Sequence, residues 1–281
     1  ICQEMGRKFK ISFSSSDEDT ALSYLHDLGF IPKIVNGERG FKVMLGGGLG
    51  SQPIHAELLS DFIPANQIVP TAEGIIRVFD RHGERNKRMK ARMKFLIKDI
   101  GKEAFLELVE KEKKAIAFET YEIDITGFEE AISEPLLEVP KVTITNPLAY
   151  ETWKASNVIR QKQKGYVAIG IKVLLGDFYT DKARVLADLI KNYAANELRF
   201  SLRQNIVIRN VKEENLPFFY QELAKLDMVA LGYNSTADIT ACPGTDTCNL
   251  GIASSTGIAE ELEKVIEAEY PQYKNNSEIE I

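Results

Sequence analysis

Two cysteines near the end of the chain form the arrangement in this sequence that best suits metal chemistry. Cys242 and Cys248 are separated by Pro-Gly-Thr-Asp-Thr, and the Pro-Gly step predicts a turn that brings the two thiols together. An iron–sulfur cluster takes four thiolates, and a structural zinc ion takes four Cys or His ligands. The other cysteine, Cys2, lies at the opposite end of the chain. The pair is therefore either inert, as free cysteines often are, or half of a site completed from outside this sequence.

A second candidate site is the basic segment Arg7-Lys-Phe-Lys10. Residues 7–13 alternate charged and apolar side chains, which predicts a β-strand. On a strand, Lys8 and Lys10 leave the same face about 6–7 Å apart, while Arg7 and Phe9 face the other way. Their mutual repulsion and partial burial are expected to lower the pKa values of the two lysines. The alternative is a solvated strand edge, where lysine prevents aggregation.

Two further stretches are candidates for ligand binding. Residues 81–98 contain eight Lys or Arg residues and one acid, Glu84. This composition favours an exposed helical face, with a nucleic-acid surface as the rival interpretation. Gly46, Gly47 and Gly48 follow an apolar strand, but they fit neither the dinucleotide-binding glycine spacing nor a phosphate-binding loop. A strand-terminating turn is the ordinary use of such a run, and the three histidines lack metal-ligand spacing.

Composition limits the class of protein. With 281 residues, 44% hydrophobic and 27% charged, the chain has room for about two domains. No apolar run approaches the roughly 18 residues of a membrane-spanning helix, and no signal peptide is recognisable. Three cysteines make no disulfide framework, which favours the cytoplasm. A formal charge of −6 argues against general affinity for nucleic acid or for an acidic membrane.

The elements that must position these residues follow an α+β pattern. In the first half we predict strands over 7–13, 29–31 and 40–45, with a turn at Asn36-Gly37, and helices over 20–28, 67–80 and 84–109, with a break at Gly101. In the second half we predict strands over 166–175 and 197–211 and helices over 182–194, 216–226 and 257–268. The β-α-β-α order is typical of half of a ferredoxin-like sandwich.

Four separated segments together resemble the siroheme-containing sulfite and nitrite reductases, in the order that this family has them. They are Arg7-Lys-Phe-Lys10, Gly46-Gly-Gly-Leu49, Leu198-Arg-Phe-Ser-Leu-Arg-Gln-Asn205, and Cys242 with Cys248. Each segment alone is weak, whereas the combination is specific and covers nearly all of the chain. The resemblance implies a siroheme and a [4Fe–4S] cluster as cofactors. It also implies a six-electron reduction of sulfite to sulfide, with ferredoxin or a flavoprotein as electron donor.

The resemblance further implies roles for individual residues. Cys242 and Cys248 would ligate the cluster, together with a Cys-x3-Cys pair that this chain does not contain. Lys8 and Lys10 would hold the substrate oxyanion and protonate its departing oxygens. The family motif that ends at Asn205 is expected to be structural.

Siroheme contacts are implied for a second set of residues. Siroheme carries eight carboxylates, and Arg7 and Arg92 would bind part of this charge, with Arg88 and Lys94 as further candidates. The glycines at 46, 47 and 48 would let the backbone approach the macrocycle, which a Cβ atom would push away. The rest of the basic run would dock an acidic electron donor.

The predicted organisation is a truncated siroheme-binding lobe at residues 1–118, a linker at 119–149, a ferredoxin-like half-domain at 150–230 and the start of a cluster lobe at 231–281. Because the chain begins with Ile1 and ends in a strand-like alternation, we interpret it as an internal fragment. It would lack an N-terminal half-domain and the C-terminal Cys-x3-Cys, and we expect it to be inactive alone.

Three alternatives stay open. In plant-type nitrite reductases the position matching Lys10 is typically asparagine, which favours sulfite here because sulfite carries more charge than nitrite. The run between Cys242 and Cys248, however, resembles bacterial sequences described only as nitrite or sulfite reductases, so assimilatory reduction of nitrite to ammonia is the first alternative. The second is a non-catalytic module that binds nucleic acid, and the third is a zinc-binding protein.

Overall fold

The computed structural model describes residues 5–50, 52–124, 126, 132–249, 251–279 and 281. The chain divides into two compact units, Ile1–Glu129 and Glu130–Ile281. The division falls within the segment predicted as a linker, of which residues 119–124 and 132–146 form neither helix nor strand. Among the described residues, every helix is too short or too polar to cross a membrane. The three boundaries between the four predicted segments stay predictions.

The described residues of the unit Ile1–Glu129 form one sheet and three α-helices. Its strands are β1 (Ile11–Phe13), β2 (Leu28–Val35), β3 (Glu38–Leu45) and β4 (Glu57–Pro64), in the order β1-β2-β3-β4. β1 is parallel to β2, and the other neighbours are antiparallel. The helices are α1 (Ile68–His82), α2 (Met93–Ile100) and α3 (Lys102–Lys113).

Local sequence explains most of this unit. Asn36 and Gly37 have φ angles of 51° and 83°, so the β2–β3 hairpin turns through two left-handed residues, as Asn-Gly favours. The sheet and the helices bury one apolar cluster, in which Phe30, Ile75 and Phe105 have no exposed surface. Burial of each such side chain contributes about 1.5–3 kcal/mol relative to exposure.

Three predictions for this unit are wrong. The predicted helix over 20–28 is a 3₁₀ turn, Ser23–Leu25, followed directly by β2. The Asp19 carboxylate accepts the backbone N–H of Ser23 at 2.9 Å, and such side-chain bonds compete with helix formation. The strand predicted over 7–13 begins at Ile11, and residues 84–92 of the helix predicted over 84–109 are not α-helical.

In the unit Glu130–Ile281, the part of the chain that the structure describes forms a second sheet and four α-helices. Its strands are β5 (Val158–Arg160), β6 (Tyr166–Ile171), β7 (Leu198–Phe200) and β8 (Ile206–Lys212), in the antiparallel order β5-β6-β8-β7. The helices are α4 (Pro147–Asn157), α5 (Thr180–Tyr193), α6 (Leu216–Lys225) and α7 (Ser255–Glu269). Trp153, Ile169 and Phe219 lie at the centre of its core, each at most 1% exposed.

The three helices predicted in this unit are confirmed, whereas one predicted strand is wrong and another is predicted too long. The strand predicted over 197–211 is two antiparallel strands, β7 and β8, with Leu198 opposite Ile208. The chain reverses within residues 201–205, where Gln204 has a left-handed φ of 63°. The strand predicted over 166–175 ends at Ile171.

A glycine in β6 admits a large side chain from a distant segment. A Cβ atom on Gly170 would lie 2.6 Å from ring atoms of Tyr233, closer than real atoms approach. Tyr233 is 8% exposed and belongs to the irregular segment that leads to Cys242. Only glycine at position 170 therefore allows the ring to rest on the sheet.

Candidate active site

Basic residues predicted from separate segments line one cavity of about 320 Å³ in the unit Ile1–Glu129. Arg7, Lys8, Lys10 and Arg92 all contribute to its wall, and so does Lys94. We call this space the basic cavity. Its apolar lining comes from Leu22, Leu25, Leu49, Met89 and Phe95. Five cations around one small space fit an anionic ligand.

A buried aspartate organises the basic cavity. Arg92 is 9% exposed, and its Nη2 atom donates to Oδ2 of Asp27 at 2.7 Å, with a longer contact from Nε to Oδ1 at 3.3 Å. Asp27 has no exposed surface, and it also accepts the backbone N–H of Lys10 at 2.9 Å. One carboxylate thus connects the segment before β1 to the residue that precedes α2. Sequence reasoning missed Asp27 because nothing in its local pattern marks it.

Lys94 fixes the loop that follows β3. Its ammonium group is buried on α2 and donates to the carbonyl oxygens of Gly48, Leu49 and Gln52 at 3.0, 3.1 and 2.6 Å. Burial lowers the pKa of Lys94, with a smaller contribution from the charge of Arg92. The prediction that residues 81–98 form an exposed helical face is therefore wrong for Arg92 and Lys94, which are buried.

The structure itself explains why glycine is needed at two of the three positions 46, 47 and 48. Gly46 has a left-handed φ of 84°. A Cβ atom on Gly47 would lie 2.5 Å from the carbonyl oxygen of Tyr24, and one on Gly48 would lie 3.2 Å from Nη2 of Arg92. The backbone conformation at Gly46 and the packing at Gly47 therefore require glycine without a ligand, and the approach of the run to siroheme stays a prediction.

Lys8 and Lys10 lie at the open side of the basic cavity. Both are exposed, while Phe9 between them is half-buried with its ring centroid 6.0 Å from that of Phe79. The alternation predicted from the sequence is therefore present, although residues 8–10 are not a regular strand. Arg7, predicted to face away from the two lysines, instead lines the same cavity, and its Nη1 atom donates to the carbonyl oxygen of Arg88 at 3.0 Å.

Although Lys10 is exposed, partial desolvation of its ammonium group lowers its pKa, and the charges of Lys8 and Arg92 lower it further, against the opposing effect of Asp27. We expect Lys8→Met to raise the pKa of Lys10 towards 10.5, because one repulsive charge is removed. Titration of the labelled lysine side chains by NMR measures this shift. Lys87→Met, on the exposed part of the basic run, serves as the control and should leave the pKa of Lys10 in place. An unchanged pKa in Lys8→Met would contradict the proposed charge coupling.

The two predicted thiol ligands lie in the unit Glu130–Ile281 on one irregular loop. Cys242 and Cys248 are both exposed, and the 3₁₀ turn Gly244–Asp246 lies between them. The N–H of Cys248 donates to the carbonyl oxygen of Gly244 at 3.0 Å. The Sγ atom of Cys242 lies 3.3 Å from Oγ of Ser255 at the start of α7.

The surroundings of Cys242 favour its thiolate form. The hydrogen bond with Ser255 is the main cause that lowers the pKa of Cys242, followed by the backbone at Gly244. Within the described ranges, no group of three His, Cys, Asp or Glu side chains is arranged to hold a metal ion. Cys2 lies outside the described residues. The structure thus places two thiols on one loop, which is half the ligand set of a four-iron cluster.

The histidines occupy ordinary packing positions where their contacts are visible. Nδ1 of His26 lies 2.9 Å from the carbonyl oxygen of Leu22, and the ring of His55 lies 4.7 Å from that of Tyr24. His26 also lines the basic cavity.

Comparison with known families gives two matches along the chain. The family model described as "Nitrite and sulphite reductase 4Fe-4S domain" matches residues 3–116, and the model described as "Nitrite/Sulfite reductase ferredoxin-like half domain" matches residues 159–226. The chain belongs to the nitrite and sulfite reductase family. The predicted resemblance to this family and the predicted α+β fold are confirmed.

Members of the reductase family match nearly the whole chain at low identity. The chloroplastic ferredoxin–nitrite reductase of Oryza sativa subsp. japonica is 25% identical over 92% of the chain and 41% of its own length. "Sulfite reductase [ferredoxin] 2" of Mycolicibacterium paratuberculosis is 25% identical over 93% of the chain and 43% of its own length. The solved structure of Mycobacterium tuberculosis NirA protein superposes with a TM-score of 0.68 at 25% identity, covering 96% of the chain and 46% of that structure. The chain thus spans less than half the length of these relatives.

The matched segments bear on the thiol ligands of a reductase of this family. Residues 3–116 contain no cysteine, although the model that matches them is described as a 4Fe-4S domain. Cys242 and Cys248 lie outside both matched segments. Thiolate ligands for a cluster would therefore have to come from outside residues 3–116, where Cys242 and Cys248 are the cysteines that the structure describes.

Proposed function

We propose that this chain forms part of a siroheme- and [4Fe–4S]-dependent reductase that reduces sulfite to sulfide. The observation that carries the proposal is the basic cavity, which brings together Arg7, Lys8, Lys10, Arg92 and Lys94. A small oxyanion bound there would meet five cations, of which Arg7, Arg92 and Lys94 are held in place by side-chain hydrogen bonds. Such preorganised charge is the main way in which enzymes stabilise developing negative charge.

The residues of the basic cavity divide into two groups. Arg92 and Lys94 are buried and already bonded to Asp27 and to backbone carbonyls, so they shape the wall. Lys8 and Lys10 are exposed, so they remain available to an incoming anion. A lysine with a lowered pKa transfers a proton more readily near neutral pH, which suits the protonation of oxygens that leave sulfite.

The chemistry of the side chains fits both cofactors. The cationic wall suits a macrocycle bearing several carboxylates, for which Arg7 and Arg92 remain our candidates, with Gly46, Gly47 and Gly48 beside it. Cys242 and Cys248 supply two of the four thiolates of the cluster, and the lowered pKa of Cys242 suits iron ligation. When bound, the two groups supply the electrons and the iron to which the oxyanion binds.

The descriptions of the relatives and the charge of the lysine pair bear on the substrate and on the electron donor. Several relatives are described as ferredoxin–nitrite reductases, which supports nitrite as the alternative substrate and ferredoxin as the donor. The doubly basic Lys8 and Lys10 pair supports sulfite, which carries the larger negative charge. Because Arg92 and Lys94 are buried, neither can form part of a nucleic-acid-binding surface. Their burial therefore argues against the alternative of a nucleic-acid-binding module. We place the enzyme in the cytoplasm.

Steady-state kinetics of the full-length enzyme test the proposal. We expect a higher kcat/KM with sulfite than with nitrite, because a second ammonium group stabilises a doubly charged anion more than a singly charged one. A reduced donor supplied in excess keeps electron delivery from limiting the rate. Equal efficiency with the two anions, or a preference for nitrite, would contradict the sulfite assignment. Absence of siroheme absorbance in the purified full-length enzyme would contradict the proposed class of enzyme.

A further inference from the structure

Gln204, in the hairpin between β7 and β8, is bonded to the residue that precedes the first cysteine. Its Nε2 atom donates to the carbonyl oxygen of Ala241 at 2.9 Å, and its Oε1 atom accepts the N–H of Ala241 at 3.2 Å. Ala241 is 9% exposed and is followed directly by Cys242. The side-chain amide of Gln204 thus pairs with the backbone of Ala241 as a neighbouring strand would.

The backbone of the hairpin is itself constrained to present this amide. Gln204 has a left-handed φ of 63°, a conformation that non-glycine residues adopt at a cost. The hydroxyl of Ser201 accepts the N–H groups of Arg203 and Asn205 at 3.2 Å each. The hairpin therefore holds an unfavourable conformation at the residue whose side chain meets Ala241.

A buried polar network also fixes Asp238, three residues before Ala241 in the segment that leads to Cys242. Asn205 has no exposed surface, and its Nδ2 atom donates to Oδ2 of Asp238 at 2.6 Å while its Oδ1 atom accepts the N–H of Val173 at 2.8 Å. Lys172 donates to the carbonyl oxygen of Ala237 at 2.6 Å. Two adjacent residues of the hairpin, Gln204 and Asn205, therefore fix two points of the segment leading to Cys242.

We propose that Gln204 is a positioning residue for Cys242, which it aligns through the backbone of Ala241. The proposal deepens the proposed function and rests on it, because the alignment matters when Cys242 serves as a cluster ligand. Cys242 is exposed and lies on an irregular loop, so its own burial contributes little to its position. The rigid sheet of β6 and β8 supplies that position through the hairpin, since catalytic and ligand groups are placed more accurately by regular elements than by loops.

Amide hydrogen exchange on the present chain tests the link without any cofactor. Gln204→Met keeps the approximate shape of the side chain and removes both hydrogen bonds, so we expect exchange at Ala241 to accelerate at least tenfold. Exchange at Ile208 in β8 should stay unchanged, which separates local release from general loss of stability. Gln204→Glu retains an oxygen that accepts the N–H of Ala241. The exchange rate at Ala241 in this variant should therefore lie closer to the rate in the parent. Gln163→Met, on an exposed loop of the same unit, is the matched control.

Iron analysis of the full-length enzyme completes the test. After anaerobic purification we expect Gln204→Met to retain less than half of the cluster iron of the parent, and Gln163→Met to retain all of it. Unchanged exchange at Ala241, equal acceleration at Ile208, or full cluster iron in Gln204→Met would overturn the proposal. A parent enzyme without cluster iron would instead overturn the proposed function, while the exchange measurement would still report the link between Gln204 and Ala241.

Discussion

Asp27→Ala is expected to lower the free energy of unfolding of the unit Ile1–Glu129 by about 3–5 kcal/mol, because it leaves the buried guanidinium of Arg92 without its carboxylate. The variant also removes the acceptor of the Lys10 N–H, which is the link between the segment before β1 and the basic cavity. Denaturant unfolding of the full chain, monitored by amide hydrogen exchange at Phe30 in β2, measures this loss of stability. The fluorescence of Trp153, the single tryptophan, reports on the other unit and should show an unchanged transition.

Two further variants make this prediction specific. Asp27→Leu combined with Arg92→Met replaces both charges by apolar groups, and we expect it to be more stable than Asp27→Ala because no buried charge is left unpaired. Asp61→Ala removes an exposed carboxylate that pairs with Lys33 on the same sheet, and we expect no measurable effect. An Asp27→Ala variant as stable as Asp61→Ala would show that the buried pair does not hold this unit together.

Lys10→Met in the full-length enzyme is expected to lower kcat/KM for sulfite by about 10²–10³, the usual effect of removing one preorganised group that stabilises an oxyanion. Lys10→Asn should reduce the efficiency with sulfite more than with nitrite, because the lost charge matters more to the more highly charged anion. Steady-state kinetics with each anion measure both effects. Because Lys10 is exposed, neither variant should change the stability of the unit.

A lysine from the exposed part of the basic run provides the control. Lys87 is exposed and does not line the basic cavity, so Lys87→Met should leave kcat/KM nearly unchanged. If Lys10→Met and Lys87→Met have similar small effects, the basic cavity does not hold the substrate. If both variants reduce kcat/KM only when a protein serves as the electron donor, these lysines contribute to docking of that donor instead.

Short-range patterns predicted much of the fold. Asn36-Gly37 correctly indicated a two-residue hairpin, because both residues tolerate left-handed φ angles. The helix predicted over 67–80 was confirmed as α1, since its apolar spacing and its burial agree. The helix over 20–28 failed because the Asp19 carboxylate bonds the backbone of Ser23, and a window of apolar spacing does not register that competition.

The basic cavity was only partly predictable. Arg7, Lys8, Lys10 and Arg92 were found through family resemblance, and the structure brings them to one space. Asp27 was missed because its importance comes from burial and from partners distant in sequence, neither of which its neighbours reveal. The strand over 197–211 was not divided because apolar residues at every second position end at Leu202 and resume in the same phase at Ile206. The reversal between them is marked by the left-handed backbone of Gln204, which the sequence pattern does not reveal.

Because Gly170 contacts the ring of Tyr233, substitutions at these two distant positions of the chain depend on each other. The ring occupies the space that any larger residue at position 170 would need, so position 170 can change only together with position 233. A chimera that takes its half-domain from a relative with a side chain at 170 must also take the segment that contains residue 233. The boundary for recombining this chain with such a relative therefore lies beyond the sheet, after residue 233.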